Sequence, residues 1–218
     1  NGFSATGNVA TINNVQLINS GKYYVLVTNT DGCFLPDSVT INIDPTPVAT
    51  TAFTSTSICA GDNIQLLANG GITYKWLPSY GLSSDIISNP VASPADTTQY
   101  KVIVSNQYSC SDTVFVDINV IEKPKVNAGP DKSIIAGSSA QLSGIVSGQN
   151  ISYYWSPSVN VSNTQVLQPI VTPASDAEYT LTAESGEGCG TAIDKVNVFV
   201  YKDVFIPTAF SPNNDGVN

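Results

Sequence analysis

The chain has 218 residues, enough for two or three small modules, and carries a formal net charge of −9; it has no histidine, methionine or arginine, so its eight basic residues are all lysine. It is 42% hydrophobic but only 11% charged, so its polarity comes from Asn, Ser, Thr and Gln, the profile of an exported β-protein. These absences exclude a Ser-His-Asp or Cys-His nucleophile, a His-ligated zinc or haem, and the arginine fork that grips phosphate, and the acidic balance argues against nucleic-acid partners.

In chain order, the first strand signal is the alternation Tyr23, Val25, Val27, which leads through Asn29-Thr30-Asp31-Gly32 to Cys33 and predicts a hairpin. A linker, Asp44-Pro45-Thr46-Pro47, follows. Next come Ser57-Ile58-Cys59-Ala60-Gly61, Leu66 and the strand Tyr74-Lys75-Trp76-Leu77-Pro78. Then Tyr100, Val102 and Val104 turn through residues 106–112, with Cys110, into Val114, Val116, Ile118 and Val120. A second linker, Glu122-Lys123-Pro124-Lys125, opens a further copy with Tyr153-Tyr154-Trp155-Ser156-Pro157, Tyr179 and Cys189.

These landmarks are an internal repeat. Trp76, Pro90, Pro94, Tyr100 and Cys110 match Trp155, Pro169, Pro173, Tyr179 and Cys189 at one offset of 79 residues, and Leu66 faces Leu142 at 76. Tyr23, Val25, Val27, Asn29 and Cys33 match Tyr100, Val102, Val104, Asn106 and Cys110 at 77. The expected organisation is a partial module at 1–45 whose front half lies ahead of Asn1, complete modules at 46–123 and 124–202, and a further segment at 203–218. Short period-two strands, turn-rich hairpins and a unit of 75 to 80 residues predict an all-β fold of tandem immunoglobulin-like antiparallel β-sandwiches. The short, proline-bearing linkers favour an elongated array over a flexible string. No run of about 18 apolar residues suggests a membrane span, and no basic-then-apolar leader opens the chain, which reads as an internal piece of a longer one.

Trp76, Trp155, Tyr100 and Tyr179 read as structural core, because the Tyr-x-Trp alternation puts both rings on one face of a strand and a tyrosine at this strand start can tie a corner. Tyr80, Tyr108 and Tyr154 are the candidates for exposed contacts, of the kind that would stack on a polysaccharide. Glu184 and Glu187 lie in or beside a hairpin, with nothing to build the cleft that a carboxylate pair needs for glycoside hydrolysis. No catalytic residue and no cofactor is expected.

The four cysteines lack C-x-x-C spacing, which leaves disulfides in an oxidising compartment. Cys59 with Cys110 is the pairing within one repeat. In a standard sandwich, however, those positions lie at opposite ends, about 17–20 Å apart, whereas a disulfide needs Cα atoms within about 7 Å. Cys59 with Cys189 is the pairing between successive repeats, and it explains why Ile135 stands where the last repeat would have its first cysteine. In that scheme Cys33 and Cys110 find partners upstream of Asn1.

The last sixteen residues include Phe205, Pro207, Phe210, Pro212, Asn213, Asp215 and Gly216, and they resemble the opening of the gliding-motility-associated (type B) C-terminal sorting domain of type IX secretion cargo. The repeats resemble the immunoglobulin-like or PKD-like modules that precede that domain, with Asn127-Ala128-Gly129-Pro130-Asp131 similar to their entry sequence. The resemblance implies the region near the C-terminus of a large SprB-like surface adhesin, extracellular and associated with the outer membrane, with the secretion translocon or motility proteins as partners. Asp37-Ser38-Val39 and Asp112-Thr113-Val114 look like the short O-glycosylation motif of such proteins, a pattern that also fits strand-edge solubility.

Ser211, Asn213, Asp215 and Gly216 have the spacing of a calcium loop, but the Ser at its first position and the lack of a closing Glu favour a plain turn, so that Asn213 and Asp215 are weak metal candidates. The sequons at Asn150 and Asn160 read as incidental. The leading functional reading is a non-catalytic adhesin stalk; the alternative is a carbohydrate-binding accessory module of a polysaccharide-active protein.

Overall fold

The computed structural model describes residues 3–202, so the expectations on Phe205, Pro207, Phe210, Pro212, Asn213, Asp215 and Gly216 lie outside the described residues. A 3-10 turn at Leu17–Asn19 leads into a hairpin of β1 (Gly21–Thr28) and β2 (Phe34–Ile41), in which Tyr23 stands opposite Val39 and Val25 opposite Asp37. The Asn29 side chain closes the connection by accepting hydrogen bonds from the N–H groups of Asp31 and Cys33. Asn106 does the same for Tyr108 and Cys110 in the next hairpin.

There follow β3 (Thr50–Thr51), β4 (Ser55–Cys59), β5 (Ile64–Gln65), β6 (Ala68–Asn69), β7 (Thr73–Leu77), β8 (Val91–Ala92), β9 (Thr98–Ser105) and β10 (Ser111–Ile121). They form a four-stranded sheet in the order β4-β10-β9-β7 with two small pairs, β3-β6 and β5-β8. The last repeat supplies β11 (Lys125–Asn127), β12 (Lys132–Ile135), β13 (Ala140–Gln141), β14 (Ile145–Ser147), β15 (Ile151–Ser156), β16 (Ile170–Val171), β17 (Ala177–Ser185) and β18 (Thr191–Tyr201). Its main sheet has the matching order β12-β18-β17-β15, with pairs β11-β14 and β13-β16. Within this last repeat pairing is antiparallel except that β12 runs parallel to β18.

The chain divides into two compact units. The first comprises the chain up to Thr56 with Asn63–Pro94 and Thr98–Ile118; the second comprises Ser57–Asp62, Ala95–Thr97 and the chain from Asn119. In the first, β9 alternates buried and half-buried positions along Tyr100, Val102 and Val104, and Trp76 lies opposite Val102. Trp76, Tyr100, Val102, Val104, Leu66, Val116 and Ile118 are all buried. In the second, Trp155, Tyr179, Leu181, Leu142, Val196 and Val198 form one cluster with Ala128, Ile134 and Val171. Each apolar side chain removed whole from water contributes roughly 1.5–3 kcal/mol, which is what selects the period-two strands over other backbones.

The entry segment 127–131 has a physical role that its composition alone does not state. Asn127 Oδ1 accepts from Gly129 N–H at 2.8 Å, which folds the chain into an Asx turn, and Gly129 sits at φ +84, a conformation open to glycine. Asp131 Oδ1 then accepts from Asn197 N–H at 2.7 Å, fixing the segment to β18.

Candidate functional site

The arrangement with most chemical content is a set of repeated anchors. Trp76 donates its indole N–H to Ile87 O at 2.9 Å, and Trp155 to Val166 O at 3.1 Å. Their amides donate to Asp85 O at 2.7 Å and Thr164 O at 2.8 Å. Both tryptophans thus pin the irregular segment that follows their own strand, and neither ring is available to a ligand, being at most 1% exposed. Just beyond, the side chains of Ser83 and Ser162 accept from Val91 and Ile170 N–H. Gly81 and Asn160 occupy matching positions with φ of +71 and +61. Asn150 also has positive φ, so both sequon asparagines serve turns that favour Asn.

Tyr100 is buried and donates its hydroxyl to Tyr80 O at 2.8 Å; burial, with a lesser contribution from Tyr80, raises its pKa above the ordinary tyrosine value. Burial also raises Tyr179. Two aspartates that the sequence reading treated only as a motif or passed over prove to be anchors. Asp112 Oδ2 accepts from Ala49 N–H at 2.9 Å and its Oδ1 from Thr113 N–H at 2.8 Å, and these bonds hold its carboxyl below the usual range. Asp194 Oδ2 accepts from Ala128 N–H at 2.8 Å. Each ties the backbone at the start of a repeat to the strand that ends it; the signal in the sequence was an acidic residue on the inward face of an otherwise apolar strand.

Cys59 and Cys189 form a disulfide with Cα atoms 5.4 Å apart, while Cys33 and Cys110 are free thiols. The alternative pairing with Cys110 fails for a geometric reason. Ala60 N–H donates to Ile121 O, which places the residue after Cys59 beside the last residue of β10, whereas Cys110 precedes the first. An eleven-residue strand spans about 35 Å.

Tyr80, Tyr108 and Tyr154 are exposed. Glu187 accepts from the Asn150 side-chain amide at 2.9 Å and Glu184 points into solvent on β17, so this pair encloses no cleft. Lys75 forms an ion pair with Asp85 that lowers the Asp85 pKa. A cleft of about 320 Å³ in the second unit is lined by Ala60, Asp96, Thr97, Glu122, Lys123 and Lys125, and its Lys123 ammonium is taken up by Asp62 at 3.3 Å. Among the described residues no group of three acidic or cysteine side chains converges on a metal position, and no helix is long and apolar enough to cross a membrane. Ser38 and Thr113, the hydroxyl residues of the two short motifs, lie within β2 and β10, each with its N–H bound by the preceding aspartate.

No protein-family model matches the chain, and no curated protein does. Solved structures do. A three-immunoglobulin-domain stretch of titin superposes with a TM-score of 0.55 at 12% identity, covering 86% of this chain and 76% of that one. The first two immunoglobulin domains of DIP-gamma match at 0.51 and 14%, covering 74% and 100%. The three N-terminal domains of the highly immunogenic outer capsid protein Hoc of bacteriophage RB49 match at 0.51 and 14%, covering 88% and 82%. At these identities the likeness is one of fold. The chain is an all-β protein of tandem immunoglobulin-like architecture.

Proposed function

We propose that this chain is a non-catalytic stalk near the C-terminus of a secreted cell-surface adhesin, exported by the type IX system and bearing the start of a type B sorting domain at residues 203–218. The observation that carries the reading is the Cys59–Cys189 bond, which covalently joins two successive sequence repeats. A tie between repeats resists extension in a way that a ligand-binding module does not need. Two further features support it: the tryptophans of both repeats are spent inside their cores, and the final residues resemble a sorting-domain entry. In this reading the repeats give reach and stiffness between an upstream adhesive region and the export signal.

The test is copurification of the chain from native outer membrane together with small-angle scattering. A stiff rod that brings down outer-membrane transport or motility proteins supports the stalk. A flexible particle that ignores those proteins but binds polysaccharide through Tyr80, Tyr108 or Tyr154 replaces it with the carbohydrate-binding reading.

A further inference from the structure

The Cys59–Cys189 bond encloses residues 60–188 in a covalent loop, across a separation of 130 positions. Inside the loop lie β5 to β17, and with them Trp76, Trp155 and most of the apolar core of both repeats. Outside it lie β4, five residues long and ending on Cys59, and β18, eleven residues long and opening just after Cys189. The covalent chain from Ser55 to Tyr201 therefore has a short route: along β4, across a bond whose Cα atoms are 5.4 Å apart, and along β18. Both strands on this route are already extended. A strand rises about 3.3 Å per residue against a limit of about 3.6 Å, so tension finds almost no slack in either. β18 is held on both flanks, by β17 over Ala177 to Glu184 and by β12 over Lys132 to Ile135. Ala136 N–H then donates to Tyr201 O at 2.9 Å, where the route leaves the strand. β4 is flanked by β10, with Asp117 N–H donating to Thr54 O at 2.9 Å and Ala60 N–H to Ile121 O at 2.8 Å.

We propose that this disulfide is a redox-gated mechanical shunt. With the bond formed, tension between Ser55 and Tyr201 runs through β4, the two sulfurs and β18, and unfolding of residues 60–188 adds no length between those points. With the bond reduced, the same tension runs through the loop. Its 130 positions then lengthen the fully stretched chain by about 430–470 Å, at about 3.3–3.6 Å per residue. The chain is thus a tether of fixed length in oxidising surroundings and an extensible one in reducing surroundings. The opening step is thiol–disulfide exchange: a small dithiol gives up two electrons and two protons, becomes a cyclic disulfide, and leaves Cys59 and Cys189 as thiols. Cys189 is only 4% exposed and Cys59 is half-buried, which slows exchange in the folded chain. As a function this rests on the stalk reading, which supplies the tension; the two lengths follow from the bond alone.

The test pulls single molecules of the full chain between handles fused to its two ends, with Cys33→Ser and Cys110→Ser so that the bonded pair makes up the whole cysteine content. The expected result is a fully stretched length about 430–470 Å shorter for the oxidised chain than for the same chain in dithiothreitol. Adding Cys59→Ser and Cys189→Ser is expected to give the long form in either buffer. That variant reads out even if it fails to fold, because a fully stretched length does not depend on folding. Equal lengths with and without dithiothreitol overturn the proposal, as does a dithiothreitol-dependent length in the variant that lacks both bonded cysteines. Equal lengths overturn the shunt whatever the chain copurifies with, and a chain that brings down no outer-membrane protein overturns the stalk whatever its length.

Discussion

Trp76 and Trp155, 79 residues apart, each donate an indole N–H to the carbonyl eleven residues downstream. The ring fills the core of its repeat while its polar edge holds the following loop, so one side chain serves packing and loop order together. Trp76→Ala or Trp155→Ala is expected to cost about 3–5 kcal/mol of the stability of its own unit. In urea unfolding followed by fluorescence, the remaining tryptophan reports the other unit, whose midpoint stays in place.

Tyr100 ties a corner through Tyr80 O, and Gly81 lies against it: a Cβ there would stand 2.9 Å from the Tyr100 hydroxyl, at φ +71. Tyr100→Phe is expected to lose about 1 kcal/mol, the net value of one hydrogen bond. Gly81→Ala is expected to lose more, since it meets both the backbone conformation and the hydroxyl. Thermal melting of the two variants checks the order.

The Cys59–Cys189 bond closes a loop across a separation of 130 residues. Replacing both cysteines by serine, or adding a reductant to the parent, is expected to lower stability by roughly 2–5 kcal/mol. Reductant then has no further effect on the double variant. Denaturant titration with and without reductant measures both.

Asp112 has a folded-state pKa below its ordinary value of 3.8 because Ala49 and Thr113 donate to its carboxylate. A depressed pKa means that the stability it contributes is full above the unfolded value and is lost as pH falls through the folded one. Acidification below that range therefore weakens the unit, and Asp112→Asn flattens the acid limb of melting temperature against pH while lowering stability at neutral pH. An unchanged acid limb in the variant would show that the carboxylate is not the anchor.

Much of this architecture is written in residue order. Alternation at Tyr100, Val102 and Val104 dictates a half-buried strand because side chains of an extended backbone point to opposite faces in turn. Asn29 and Asn106 announce their turns, since a short amide can bind the backbone two and four residues on. These are local relations, and a local reading finds them.

Three things were settled only when distant segments met. Two cysteine pairings were open on paper; the bond went to Cys189 because β10 carries Cys110 the length of a strand away from Cys59. The parallel pairing of β12 with β18 depends on which long strand the entry segment lies beside, something alternation within a strand does not encode. The anchoring of Ala49 and Ala128 by Asp112 and Asp194 joins residues 63 and 66 positions apart. A side chain's preference for strand or turn is set by its own backbone, whereas its partner is set by the path of the whole chain.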